Sequence, residues 1–175
     1  MTATRQPPFT LRNILEEQSR DLYDASRKYL SFLSVMDKSI VNKDLHKEIA
    51  VIAADSSKNI ADLEAVCSRL DIAPEGITCE AMAGLLREAK ATTQEYESGS
   101  VKDAALIANA QRIAHYEIAG FGSAKAFAAQ LKLGEIADIF GEMLKRAAAS
   151  DKALTKIATG SWLSSGINSL AASGE

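Results

Sequence analysis

Residues 103–131 read DAALIANAQRIAHYEIAGFGSAKAFAAQL. Leu106, Ala110, Ile113, Phe127 and Leu131 share one stripe of this stretch, Glu117 and Gly120 fall in its middle, and no proline interrupts it. Residues three and four apart lie on one helical face, so the segment predicts a long helix with a single buried seam. Upstream, Ser98-Gly99-Ser100 breaks the chain before it. Downstream, Gly134 separates it from a further long helix that carries Ile136, Phe140, Met143, Leu154 and Ile157 inward and stops at Gly160.

Two more long helices precede it. The first starts after Pro7-Pro8-Phe9 with Thr10 as N-cap, and its Leu15, Leu22, Tyr29, Leu33 and Met36 follow steps of three and four. The second is capped by Asn42 or Asp44 and carries Leu45, Ile49, Ile52, Leu63, Val66 and Leu70 until Pro74 and Gly76 end it. A shorter helix spans Thr78 to about Tyr96. A link of about 30 residues with its own helix is what joins two antiparallel hairpins in a ferritin-like arrangement, whereas an up-down bundle needs none. The expected fold is therefore all-α, a ferritin-like four-helix bundle over residues 1–160 with an additional short helix in the crossover. The tail, residues 161–175, is rich in Ser, Gly and Ala and forms a short helix or frays beyond Trp162 and Leu163.

Composition agrees. Hydrophobic residues are 47% of the 175 but aromatics only 6%, so the apolar mass is Ala, Leu and Ile, a mixture that favours helices. A net charge of −3 lacks the basic excess of a protein that binds nucleic acid or an anionic membrane, and neither partner is expected. Cys67 and Cys79 fit no zinc spacing, and the sequence has no charged-then-apolar leader and no apolar run near 18 residues. They read as free thiols in a cytoplasmic protein.

The polar residues on the seams carry the functional question. Ser19 and Ser26 fall on the first seam, Ser56 and Asn59 on the second with Asp55 beside them, Glu117 on the third, and Ala147 and Ser150 on the fourth with Asp151 adjacent. A di-iron or di-manganese centre needs carboxylates from all four helices and usually two histidines. The strict seams supply one acid, Glu117, which is expected as a buried carboxyl hydrogen-bonded to a Tyr or Ser. His46 lies at the start of the second helix, and His115 sits between Ala114 and Glu117. Metal binding is not expected; the residual candidate ligands are Asp55, Glu88, His115, Glu117 and Asp151.

The stretch 103–131 closely resembles the third-helix signature of the YciE/YciF ferritin-like bacterial stress proteins. The resemblance continues in CEAMAGLLREA (Cys79 to Ala89), LYDASRKYL (Leu22 to Leu30) and SDKALTKIA (Ser150 to Ala158), and so covers nearly the whole chain up to the tail. Against that family's pattern several acids are missing. An "AEKQL" motif becomes Ala25-Ser26, "HLEET" becomes Ile52-Ala53-Ala54-Asp55-Ser56, and "CxAMEGL" has Ala83 at its acid position. "EHYE" becomes Ala114-His115-Tyr116-Glu117, and "EEEK" becomes Lys145-Arg146-Ala147-Ala148. Packing residues such as Ala81, Met82, Gly84, Ile113, Tyr116 and Ile118 are kept.

The resemblance therefore implies a retained scaffold with most of the metal chemistry lost. The expected function is a non-catalytic, homodimeric bundle with a structural or interaction role linked to stress, with no catalytic residues and no cofactor. The alternative is a metal-binding protein or oxidase with a reduced iron or manganese site. A third reading docks a partner through the tail around Trp162, Leu163, Ile167 and Leu170.

Overall fold

The computed structural model describes residues 9–161 and 164–174, so Pro7, Pro8, Trp162 and Leu163 lie outside the described residues. Four long helices, α1 (Leu11–Asp37), α2 (Lys43–Leu70), α4 (Ser100–Gln130) and α5 (Gly134–Thr159), surround one core, and α3 (Glu80–Glu95) lies in the crossover. A two-residue antiparallel ladder, β1 (Gly160–Ser161) with β2 (Ser164–Ser165), and a short α6 (Ile167–Ser173) complete the chain.

The helix ends follow local chemistry. Thr10 caps α1 in a reciprocal box: its hydroxyl accepts from the Asn13 N–H at 3.3 Å, and the Asn13 side chain accepts from the Thr10 N–H at 3.0 Å. Asn42 caps α2, its Oδ1 accepting from the Asp44 and Leu45 amides at 2.9 and 3.1 Å. At the far end Asp71 takes a left-handed conformation (φ 60°) and closes α2 before Pro74 is reached.

The buried positions repeat with little deviation. On α1 they include Leu15, Ser19, Leu22, Ser26, Tyr29, Leu33 and Met36, and on α2 Leu45, Ile49, Ile52, Ser56, Asn59, Leu63, Val66 and Leu70. Alternating steps of four and three keep one narrow stripe facing inward, the pattern of helices packed nearly parallel or antiparallel. Each long helix packs on two others, in the cyclic order α1, α2, α5, α4. Opposed contacts such as Arg69 of α2 with Glu135 of α5, and Gly120 of α4 with Leu22 of α1, mark neighbours that run antiparallel. The crossover helix α3 lies outside the four, against α1 and α4.

Two apolar clusters fill the interior. One holds Met36, Leu45, Ile49, Leu106, Ile113 and Leu154 near the α1–α2 corner, and the other holds Leu15, Leu63, Phe121, Ile136 and Phe140 near the opposite end. Between them lie Ser26, Ser56, Asn59, Glu117 and Ser150, all buried. The tail contributes as well: α6 packs on α4 and α5, and its Ile167 is buried in the first cluster. Among the described residues no helix is long and apolar enough to cross a membrane.

Candidate functional site

The polar layer encloses a cavity of about 10 Å³, lined by Tyr29 of α1, Asp55, Ser56 and Asn59 of α2, Ala110, Ala114 and Glu117 of α4, and Arg146, Ala147 and Ser150 of α5. That volume holds about one water molecule. Heptad spacing explains the convergence, because Ser26, Ser56, Glu117 and Ser150 occupy seam positions that would otherwise be apolar.

Glu117 is only 6% exposed, and its Oε1 has no hydrogen-bond partner. The expected bond from a Tyr or Ser hydroxyl to Oε1 is not made, although Tyr29, Ser56 and Ser150 line the same cavity; the neighbouring Tyr116 donates to Asp21. Burial, and secondarily the negative charge of Asp55, pushes the Glu117 carboxyl up to about 8. On the opposite wall the Arg146 guanidinium donates to Asn59 Oδ1 at 2.9 Å and to the Asp62 carboxylate. Arg146 and Asp62 are both largely buried, at 15% and 22% side-chain exposure.

Of the five candidate ligands, the cavity brings together only Asp55 and Glu117. Glu88 is exposed on α3, which lies outside the four-helix core. His115 is two residues before Glu117, roughly 200° around the helix, and its side chain is 67% exposed. Asp151, one position past the inward Ser150, turns to the same outer face, where its Oδ1 lies 3.5 Å from His115 Nε2 and accepts from Gln111 at 3.1 Å. His46 is exposed beside Asp37 at the α1–α2 corner. Among the described residues no group of three or more His, Cys, Asp or Glu is placed to hold a metal ion.

A second polar cluster joins α1, α3 and α4. Tyr116 donates to Asp21 Oδ2 at 2.6 Å, and Cys79 Sγ lies 2.9 Å from the same hydroxyl oxygen. With the Tyr116 proton committed to the carboxylate, the thiol is the donor in the second contact. Cys79 also caps α3, its sulfur accepting from the Met82 N–H at 3.4 Å while its own N–H donates to Asp24 Oδ2 at 2.7 Å. Burial pushes both cysteine thiols up, Cys67 to about 11, so neither is an activated nucleophile. Sequence spacing gives no sign of this cluster, since its members lie in three segments and Tyr116 and Asp21 are 95 residues apart. Arg146 was likewise legible only as a departure from an acidic run.

Comparison with known proteins agrees with this architecture. A family model described as a domain of unknown function, DUF892, matches residues 10–167. Protein YciF of Escherichia coli (strain K12) is 29% identical over 150 residues, covering 85% of this chain and 90% of that protein. Among solved structures, YcfI from Rhodopseudomonas palustris superposes with a TM-score of 0.83 at 31% identity, over 90% of this chain and 99% of that one. The crystal structure of the E. coli stress protein YciF superposes with a TM-score of 0.82 at 28% identity, over 85% and 94%. The chain belongs to the DUF892 family, among the YciF-type helical proteins.

Proposed function

We propose that this chain is a non-catalytic, ferritin-like bundle with a structural or interaction role linked to stress, acting as a cytoplasmic homodimer. The observation that carries the reading is the composition of the central layer: one buried carboxylate, Glu117, with Asp55 beside it and a guanidinium, Arg146, on the facing wall. Two cations about 3.5–4 Å apart need several anionic ligands to offset their repulsion. Here the cavity holds about one water, has no histidine, and already contains a side-chain cation. The residues present do not fit a di-iron or di-manganese centre. The names of the relatives point the same way: one is a stress protein and the other is described as a candidate structural protein.

The competing reading, one iron or manganese ion held by Glu117 and Asp55, draws only on the unpartnered Glu117 Oε1. Metal analysis of protein purified without chelator, followed by ferrous and manganous titration, separates the two. The proposed reading expects substoichiometric metal and a melting temperature unmoved by chelator or added ion, since a ligand that does not bind the native state cannot stabilise it. One or more tightly bound iron or manganese ions per chain, or a large metal-dependent rise in melting temperature, would overturn it.

A further inference from the structure

The end of the bundle where α2 begins and α5 finishes holds a cleft of about 370 Å³ that shares no lining residue with the central polar layer. Three parts of the chain wall it: the first turns of α2, the last turns of α5, and the β1–β2 ladder with the start of α6. Glycine builds the third wall. Gly160 takes a φ of 75° to turn the chain out of α5, and a Cβ on Gly166 would lie 2.3 Å from the Gly160 nitrogen and 2.4 Å from the Ala158 carbonyl oxygen. The tail thus recrosses the end of α5 in direct backbone contact. That crossing sets Ile167 into the first apolar cluster and on the cleft wall at once.

The walls combine an apolar floor with unequal charges. Ala153, Ile157 and Ile167 supply the floor. Of the three charged residues, Asp44 is exposed and already paired with Lys47 at 3.0 Å. Lys156 is exposed, so water solvates its ammonium and a partner there adds little. Glu48 is half-buried, and among the described residues no cation or hydrogen-bond donor engages its carboxylate. Burial, and secondarily the negative charge of Asp55, disfavours its ionised form. A carboxylate that has lost part of its water without gaining a partner is the group in this cleft with most to gain from an incoming cation.

We infer that the cleft is a binding site for a small organic ammonium with an apolar body, its N–H groups donating to the Glu48 carboxylate and its hydrocarbon lying on Ile157 and Ile167. The size fits, since small-molecule clefts start at about 300 Å³ and set a few polar groups among apolar walls. Other ligand classes fit less well. An anion meets Asp44 and Glu48 against a single lysine. A hard divalent cation takes several oxygens and would find one unpaired carboxylate while leaving the apolar floor unused. A neutral apolar molecule would dry Glu48 further and leave it without a partner.

The probe is 1-hexylammonium, titrated at neutral pH into the chelator-treated full chain and followed by amide chemical shifts. 1-Hexanol and hexanoate are run beside it, because they keep the hydrocarbon and change only the head group. Saturable shifts are expected around Ile157, Gly160, Ser165 and Ile167. Hexanol should bind more weakly by about tenfold or more, the weight of one hydrogen bond to a charged group, and hexanoate more weakly still. Glu48→Gln should bring hexylammonium down to the level of hexanol, whereas Lys156→Ala should leave its affinity undiminished. Ala153→Leu, which fills the floor without touching the carboxylate, should weaken both ligands. The comparison of head groups on the wild type needs no variant to fold. Hexanoate binding as tightly as hexylammonium, an unchanged affinity in Glu48→Gln, or no saturable shift in the cleft at millimolar hexylammonium would each overturn the site. None of these outcomes bears on the metal analysis above, which concerns a different set of residues.

Discussion

The Tyr116 hydroxyl sits 2.6 Å from Asp21 Oδ2, so one side chain of α4 ties down α1 while its oxygen also receives the Cys79 thiol at the start of α3. Replacing it with phenylalanine keeps the ring, which packs against both apolar clusters, and removes both polar contacts. Tyr116→Phe should cost about 1–3 kcal/mol, since it leaves a half-buried carboxylate and a buried thiol without their partner. Chemical denaturation measures this, and amide exchange should quicken first in α3, whose N-terminus loses one of its anchors and keeps the bond from the Cys79 N–H to Asp24.

The contact of α4 with α1 at Gly120 makes a paired prediction. A Cβ on Gly120 would lie 2.6 Å from Leu22 Cδ2, whereas one on Gly122, two residues on, would meet nothing within 4 Å. Alanine gains up to about 1 kcal/mol over glycine inside a helix, but overpacking a filled core costs about 1–3 kcal/mol. Gly122→Ala should therefore raise the melting temperature, and Gly120→Ala should lower it. Equal shifts of the same sign would mean that Leu22 yields freely.

At the α1–α2 corner the buried Asp103 carboxylate accepts from the Asn42 amide at 2.7 Å and from the Val41 amide at 3.2 Å. Burial raises its proton affinity and these backbone bonds oppose the rise. Asp103→Ala strands amides at the start of α2 and should cost about 1–3 kcal/mol, while Asp103→Asn keeps an acceptor and should cost less. Thermal unfolding of the two variants side by side gives the order.

Arg146 and Asp62 should be energetically coupled. Removing Asp62 leaves a largely desolvated guanidinium, at a cost approaching the roughly 3–5 kcal/mol of a fully buried pair and reduced by partial exposure, whereas removing Arg146 costs less because Lys58 still pairs with Asp62 at 3.3 Å. A double-mutant cycle with Arg146→Met and Asp62→Leu should give an interaction of about 0.5–3 kcal/mol. Strict additivity would show the bridge to be incidental.

The helices and their caps were legible because both depend on local spacing: Thr10 and Asn42 precede periodic runs, and the seams of α1 and α2 repeat without a break. Glu117 was legible as an inward acid for the same reason. Its missing hydrogen bond was not, because whether the hydroxyls of Tyr29, Ser56 or Ser150 reach Oε1 is set by how the helices pack around the cavity. Glu88, His115 and Asp151 looked like candidates in one dimension. The placement of α3 outside the core and the roughly 100° turn per residue of a helix send all three outward. Arg146 could be seen as basic but not as bridged, since Asn59 and Asp62 stand more than 80 residues before it.

The Arg146 bridge also answers a question that the apolar stripe leaves open. A seam that repeats every seven residues looks nearly the same after sliding by seven, so hydrophobic contact alone discriminates weakly between the native alignment of α2 on α5 and its neighbours. Arg146 meets Asn59 and Asp62 in the native alignment. A slide one way would offer it Ile52 and Asp55, forfeiting the amide acceptor; a slide the other way would offer Val66 and Arg69, an apolar side chain and a like charge. One internal cation thus indexes the two helices against each other and makes the misaligned bundles the costlier states.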